Sequence, residues 1–261
     1  MNKRLLSCLS AVIIICVSAS AQSFKYEIDL SGLGDPSTTS KPFGASYNAA
    51  NGLLYVAIAG SFAANNNVVA VIDPATDLVV ATIAVGLFPE DIAFDSTTGE
   101  GAVTNSTSGS VTFFDSSNSV LSTLQLPDPF GIGSCYPFGI TYHDGHYFVG
   151  TVDGSGEVYA IDATTRTLAP SYGFATNYKS IGRMTVKSSK LLVTTTEYNS
   201  TWSGATGGVH AHEMFGAGTG RQINYVTQEN LGTYPSASDI TPAADGAFMT
   251  GLDFDGMLYI T

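Results

Sequence analysis

The chain predicts an all-β protein, a β-propeller of four-stranded blades. Three observations carry that reading. Segments opening at Pro42, Pro89 and Pro137 repeat at intervals of 47 and 48 residues. Each segment contains short alternating apolar runs separated by turn residues, which is how a propeller blade is written. The composition fits as well. With 44% hydrophobic residues, 12% charged residues, 28 Gly and 10 Pro in 261 residues, the chain is apolar enough for a large core and rich in turn formers.

The units align strand by strand. First strands carry an apolar face at Ala45/Tyr47, Ile92/Phe94, Ile140/Tyr142, Met184/Val186 and Ile240. Second strands follow as Leu54-Tyr55-Val56, Ala102-Val103, Tyr147-Phe148-Val149, Leu191-Leu192-Val193 and Phe248-Met249. Third strands end in Val71-Ile72-Asp73, Phe113-Phe114-Asp115, Ala160-Ile161-Asp162, Ala211-His212-Glu213 and Tyr259-Ile260-Thr261. Alternation of this kind suits strands that pack on both faces between neighbouring sheets. The closing Asp has a structural use, since its carboxylate can accept N–H groups from residues just ahead and fix the turn. Unit four is less regular, with an excursion over residues 197–208 that contains Trp202.

The fifth unit stops at its third strand. Residues 24–32 read like the outermost strand of the other units (compare residues 81–86). A last blade shared by the two ends of the chain would close a five-bladed ring and protect its edges. Five units of about 48 residues match the length that follows the leader. The alternative is a truncated seven-bladed propeller.

Through Leu54-Tyr55-Val56-Ala57, residues 69–76 and residues 80–86, the unit pattern resembles the YVTN-type β-propeller repeats. Val103-Thr104-Asn105 carries part of the signature tetrapeptide, with Ala102 where Tyr would stand. The likeness is good over residues 42–170, weak over 171–233 and loose thereafter. It implies a propeller outside the cytoplasm, of the secreted or surface-layer kind. It implies no defined activity and supplies no catalytic residues.

The N-terminus reads as a secretory signal over residues 1–21. Lys3-Arg4 is the positive region, residues 5–17 are apolar but short for a membrane span, and Ala19-Ser20-Ala21 is a cleavage site. A single propeller domain over residues 22–261 is expected outside the cytoplasm: secreted, periplasmic or on the cell surface, with no membrane span after cleavage. Cys8 and Cys16 leave with the leader, so Cys135 remains without an intramolecular disulfide partner and reads as an inert, half-buried thiol. The formal charge of −12 argues against nucleic acid as a partner.

Ligands of propellers usually sit at one mouth of the central channel, a location given by analogy of fold. The first strands align Gly44, Asp91, Gly139, Arg183 and Asp239 in one column, flanked by Phe43, Glu90 and Phe138. The ligand-binding candidates are therefore Phe43, Glu90, Asp91, Phe138, Arg183 and Asp239. The alternative is an Arg183 ion pair with Asp91 or Asp239 that merely plugs the channel. His210 and His212 share one side of a strand and could share a metal, although His212 aligns with core positions. Asp153-Gly154-Ser155-Gly156-Glu157 and Asp253-Phe254-Asp255-Gly256 could hold calcium or another divalent ion, or be hairpin turns; no other cofactor is expected. His143-Asp144-Gly145-His146 reads as a hairpin tip. Asn105-Ser106-Thr107 and Asn199-Ser200-Thr201 are glycosylation acceptor sequences, relevant in a eukaryotic source.

No nucleophile elbow, phosphate loop or paired CxxC is present. These features favour a non-enzymatic binding or scaffold module for a protein or glycan partner. The alternative is a metal-dependent propeller hydrolase, lactonase or lyase using Glu90, Asp91 and Asp239 at the channel mouth. Arg166, Lys179, Arg183, Lys187 and Lys190 form a basic sector that could dock an anionic glycan.

Overall fold

A computed structural model describes residues 28–30, 32–34, 41–61, 64–175, 180–187, 189–198, 205–215, 222–232, 237–242, 248–252 and 258–260. They form five successive antiparallel sheets whose strands pair in chain order. The first sheet holds β1 (Pro42–Asn48), β2 (Leu53–Ser61), β3 (Ala64–Asp73) and β4 (Leu78–Ala84). The second holds β5 (Pro89–Phe94), β6 (Gly101–Asn105), β7 (Ser110–Phe114) and β8 (Val120–Gln125). In the third, β9 (Pro137–His143), β10 (His146–Thr151) and β11 (Glu157–Asp162) are edged by two short pieces, β12 (Thr167–Leu168) and β13 (Phe174–Ala175). The fourth comprises β14 (Ser180–Lys187), β15 (Lys190–Tyr198), β16 (Ala205–Phe215) and β17 (Gln222–Gly232). The fifth comprises β18 (Ala237–Pro242), β19 (Phe248–Leu252) and β20 (Leu258–Ile260).

Neighbouring sheets bury their apolar faces against each other, and the alternation along each strand decides which side chain goes to which interface. Tyr55, Ala57, Val69 and Val71 of the first sheet pack on Ile92, Val103 and Phe114 of the second. Phe113, on the other face of β7, joins Ala102 and Val111 against Tyr147, Val149 and Ile161 of the third. Phe148 and Val158 continue the series against Ile181, Met184 and Leu191 of the fourth. Adjacent residues such as Phe113/Phe114 and Tyr147/Phe148 thus serve different interfaces, as the two-residue period of a strand requires. The strands β1, β5, β9, β14 and β18 touch in succession, so the first strand of each sheet lies innermost.

The turns after β3, β7 and β11 are built alike. Asp73 Oδ1 accepts the Ala75 N–H at 2.8 Å, Asp115 Oδ1 that of Ser117 at 2.9 Å, and Asp162 Oδ1 that of Thr165 at 2.8 Å. Each turn ends on a left-handed residue, Asp77, Asn118 or Arg166. Asp144-Gly145 turns between β9 and β10 with positive φ at both residues, the type I′ signature of a two-residue hairpin. Asp153 likewise caps its own loop, accepting the Ser155 N–H at 2.7 Å. Residues 253–257, with the second acidic loop, lie outside the described residues.

Two regions depart from the repeat read in the sequence. The outer strand of the third sheet is split, because Pro170 has no N–H to donate and Tyr172 turns inward to place its ring 4.4 Å from His146. In the fourth sheet strands reach into both ends of the excursion: β15 runs on to Tyr198 and β16 starts at Ala205, with Trp202 and the Asn199 acceptor sequence outside the described residues. The N-terminal segment expected to edge the fifth sheet is described only in part, with residues 24–27 and 31 outside the described residues. Residues 28–30 form no strand; Ile28, Leu30 and Leu33 pack on the remaining face of the first sheet, against Val56, Ile58, Ala70 and Ile72.

Candidate functional site

In all five sheets the pairing of the innermost strand with its neighbour slips near the start of the strand. The slips fall between Pro42 and Ala45, Pro89 and Ile92, Pro137 and Ile140, Ile181 and Met184, and Ala237 and Asp239. The residues in the slips are Phe43-Gly44, Glu90-Asp91, Phe138-Gly139, Gly182-Arg183 and Ser238. The candidate column is therefore a row of β-bulges on successive inner strands, which re-aim side chains and are common beside binding sites. Asp239 directly follows the bulge of β18; its side chain is outside the described residues.

Close packing of the innermost strands explains the glycines. A Cβ on Gly44 would lie 2.1 Å from the Glu90 carbonyl oxygen, and one on Gly139 would lie 2.4 Å from that of Gly182. Threonines of the second strands pin the bulges from behind. Thr104 Oγ1 accepts the Asp91 N–H at 3.1 Å and donates to the Phe138 carbonyl at 2.6 Å. Thr194 Oγ1 donates to the Arg183 carbonyl at 2.9 Å. Sequence reasoning passed over both. Their signal was a hydroxyl residue directly after Val103 and Val193, at the end of an otherwise apolar run.

Asp91 is the hub. Its Oδ2 accepts the Ile140 N–H of the next sheet at 3.0 Å, and its Oδ1 accepts the Ile92 N–H at 3.0 Å. Arg183 Nη1, two sheets away, donates to Asp91 Oδ1 at 2.7 Å, and both side chains are largely buried. One of the two expected pairings across the channel is thus present.

Glu90 differs from its neighbour. It is 2% exposed, one carboxyl oxygen is hydrogen-bonded with Ser106, and Oε2 has no hydrogen-bond partner among the described residues. Burial pushes its carboxyl well above the usual range, a rise that the Ser106 hydrogen bond and the charge of Arg183 only partly offset. Aromatic residues stand on the strands to either side of β5. Phe43 is 47% exposed and lies 5.6 Å edge-on from Phe138 and 6.2 Å from Phe88. Phe43 belongs to β1 and Phe138 to β9, the two strands on either side of β5. Phe88 and Tyr136, each preceding a proline at the start of a unit, adopt positive φ of 58° and 44°. Such strain in bulky residues costs about 1–2 kcal/mol each and gathers where geometry is held for a purpose. Hydrogen bonds from Phe88 N to the Asn66 carbonyl and from Ser106 N to the Phe88 carbonyl hold it.

The other candidates sit elsewhere. His210 and His212 are buried in β16 with rings 6.2 Å apart, and the His212 ring lies tilted 4.3 Å from that of Phe174. Burial lowers both imidazoles to about 4, so they are neutral. Among the described residues no set of three His, Cys, Asp or Glu side chains is grouped for a metal. Of the basic sector, Arg166 is held by a two-pronged ion pair with Glu100 (2.9 and 2.6 Å) and Arg183 by Asp91; Lys190 is exposed and Lys179 lies outside the described residues. Asn105 is fully buried, so its acceptor sequence is inaccessible in the folded chain. Cys135 is buried, with its thiol pushed up to about 12 by desolvation. Two recesses lie away from the bulges. One of about 360 Å³ opens at the split edge of the third sheet beside Tyr159 and Phe174. One of about 270 Å³ lies beside the far ends of β1, β5 and β9.

No protein-family model matches the chain, and no curated protein resembles it in sequence. Solved structures do resemble it in fold. Hydrazine synthase of Kuenenia stuttgartiensis superposes with a TM-score of 0.65 at 16% identity, over 83% of this chain and 57% of that one. The Cps50 (Swd1) β-propeller domain of Myceliophteria thermophila gives 0.62 at 14% identity, over 85% and 70%. U3-55K gives 0.60 at 10% identity, over 85% and 61%. The chain thus spans about three fifths of the length of two of these proteins. At such identities the likeness concerns architecture alone. Four-stranded antiparallel sheets set side by side, joined by that likeness, make the fold of this protein a β-propeller.

Proposed function

We propose that this propeller is a secreted or cell-surface binding module of the YVTN-repeat kind, without catalytic activity, that takes a protein or glycan partner at the mouth formed by the bulges of its inner strands. The observation that carries this is the gathering of Phe43, Glu90, Asp91, Phe138 and Arg183 at the register slips of successive strands. Exposed aromatic surface beside buried, oriented polar groups suits recognition. The Asp91 carboxylate, occupied by two N–H groups and a guanidinium, is poorly placed to serve as a metal ligand or general base. The test is a panel of defined polysaccharides and peptides on an immobilised array. Phe43→Ser, at a half-exposed position, should abolish binding of whatever the wild-type protein retains while leaving its melting temperature within a few degrees.

A second reading is favoured by Glu90 alone. A buried carboxyl whose affinity for its proton is raised by burial is the kind of group a metal-dependent hydrolase, lactonase or lyase uses for proton transfer. Turnover of lactones or esters in the presence of Ca²⁺, Mg²⁺, Mn²⁺ or Zn²⁺, lost in Glu90→Gln, would establish it over the binding module.

The proposed ring has five blades, closed by the N-terminal segment. Ile28 and Leu30 cover the first sheet as Ile83 and Val85 of the first sheet's outer edge cover the second. Removal of residues 22–33 should lower the melting temperature and enlarge the radius of gyration measured by X-ray scattering. An unchanged radius would favour the seven-bladed alternative.

A further inference from the structure

We propose that the recess at the split edge of the third sheet is a second binding site, which takes an extended peptide segment of a partner protein carrying an apolar side chain between basic ones. The site lies away from the bulges and does not depend on the reading of the mouth.

The chain makes this recess by interrupting an edge. Ile161 pairs with Leu168 and Val158 with Phe174, so Tyr159 and Ala160 of β11 face no registered residue of the outer pieces. Pro170, without an N–H, stands between those pieces, and residues 169–173 are not strand. The recess measures about 360 Å³, at the lower end of the roughly 300–1,000 Å³ usual for ligand pockets. Of its nine lining residues, only Glu157 and Tyr159 have a side chain with a hydrogen-bonding group; Leu168, Phe174, Pro127 and Pro170 are among the apolar rest. A glycan, with hydroxyls to satisfy on every side, is a poor match to such walls, whereas an aliphatic or aromatic side chain gains by leaving water there. β12 and β13 form the outer edge of their sheet, and a sheet edge is where extended segments dock, with alternate side chains entering pockets.

Charge selects what flanks that side chain. Glu157 lines the recess, and its hydrogen bonds among the described residues run through its backbone, which leaves its carboxylate open to a cation. Asp128 and Asp153 stand close by: with Cys135 and Glu157 they add to the rise that burial gives the Tyr159 phenol, which is pushed up to about 12. Among the described residues none of these three acids is in an ion pair. The formal charge of −12 on the whole chain has the same sign. Lys or Arg beside the apolar residue of a docking segment supplies the complement, and an acidic segment is repelled. An anionic membrane surface is repelled for the same reason.

The experiment titrates the full-length, isotopically labelled protein with three synthetic peptides blocked at both ends: Gly-Lys-Leu-Lys-Gly, Gly-Glu-Leu-Glu-Gly and Gly-Lys-Ser-Lys-Gly. Affinity and location are both read from NMR shifts of the backbone amides. The Lys-Leu-Lys peptide should bind at least about tenfold more tightly than either of the others, and less tightly as ionic strength rises from about 0.05 to 0.5 M. It should shift the amides of Glu157, Tyr159, Leu168 and Phe174. Glu157→Gln should weaken it at least about fivefold, and Glu157→Lys should reverse the preference between the Lys-Leu-Lys and Glu-Leu-Glu peptides. Both substitutions fall at a partly exposed side chain, so melting temperatures should stay within a few degrees. Equal affinity for the Leu and Ser peptides, undiminished binding by Glu157→Gln, or no binding of the Lys-Leu-Lys peptide at millimolar concentration would each overturn the proposal. Shifts at Phe43 and Glu90 in place of the recess would overturn it too, while leaving the mouth reading in place.

Discussion

Asp91 and Glu90 are adjacent in the chain and opposite in chemistry. Asp91 is satisfied on every side and works as a tie between sheets. Removing it by Asp91→Ala leaves the Arg183 guanidinium without its partner in a largely buried site, and chemical denaturation should show a loss of about 3–5 kcal/mol. The double variant with Arg183→Met should regain part of that loss; strict additivity would show that the pair is not coupled. Glu90 should act through pH. Its carboxyl titrates near 4.5 when the chain is unfolded and well above that when folded, so the folded form holds a proton that the unfolded form releases. Stability should therefore fall as pH rises from about 4.5 through the raised value and level off above it. Unfolding midpoints across that interval should show Glu90→Gln gaining on the wild type, and parallel curves would show that Glu90 is not the group responsible. Cys135 offers a further check. With its thiol buried and pushed up to about 12, it should resist iodoacetamide in the native protein and react only on unfolding.

The strands are legible because each carries a two-residue alternation between sheets, and the turns because an Asp closes the third strand. The bulges are another matter. Nothing in Phe43-Gly44 or Glu90-Asp91 announces a slipped register, because a bulge depends on how two strands pair rather than on the propensity of either. Once seen, it explains the glycines. Gly44→Ala would drive a Cβ to 2.1 Å from the Glu90 carbonyl oxygen, a backbone atom that cannot swing aside. The strands β1 and β5 must then separate, at an expected cost of about 1–3 kcal/mol in the unfolding free energy. Gly145→Ala, with nothing within 4 Å of its Cβ, should lose only the advantage of glycine at positive φ, about 1 kcal/mol. If the two variants lose the same stability, close approach of the inner strands is not what Gly44 serves.

The molecule as a whole depends on its sheets covering one another in series, and an uncovered terminal face would expose Val56, Ile58, Ala70 and Ile72. Ile28 and Leu30 cover that face. Replacing both with Ser should cost about 2–4 kcal/mol, from the apolar surface returned to water, and hydrogen exchange should quicken first in β2 and β3. The bridge between Arg166 and Glu100 joins the second and third sheets, but it is partly exposed to solvent. Its removal by Arg166→Ala should cost no more than about 1 kcal/mol, diminishing with added salt.

The repeat, its alternating strands and its turn-closing acids could be read from the chain because they are local. Each is a preference expressed within a few residues, copied at a near-constant interval. The candidate column was legible for the same reason, since equal positions in successive units must come together wherever the units stack. Which members of that column are engaged could not be read. The Arg183 bond to Asp91 spans 92 positions, and the raised carboxyl of Glu90 depends on burial that arises only when the sheets pack. Long-range pairing and burial set the charge state of a side chain, and both exist only when the sheets are assembled.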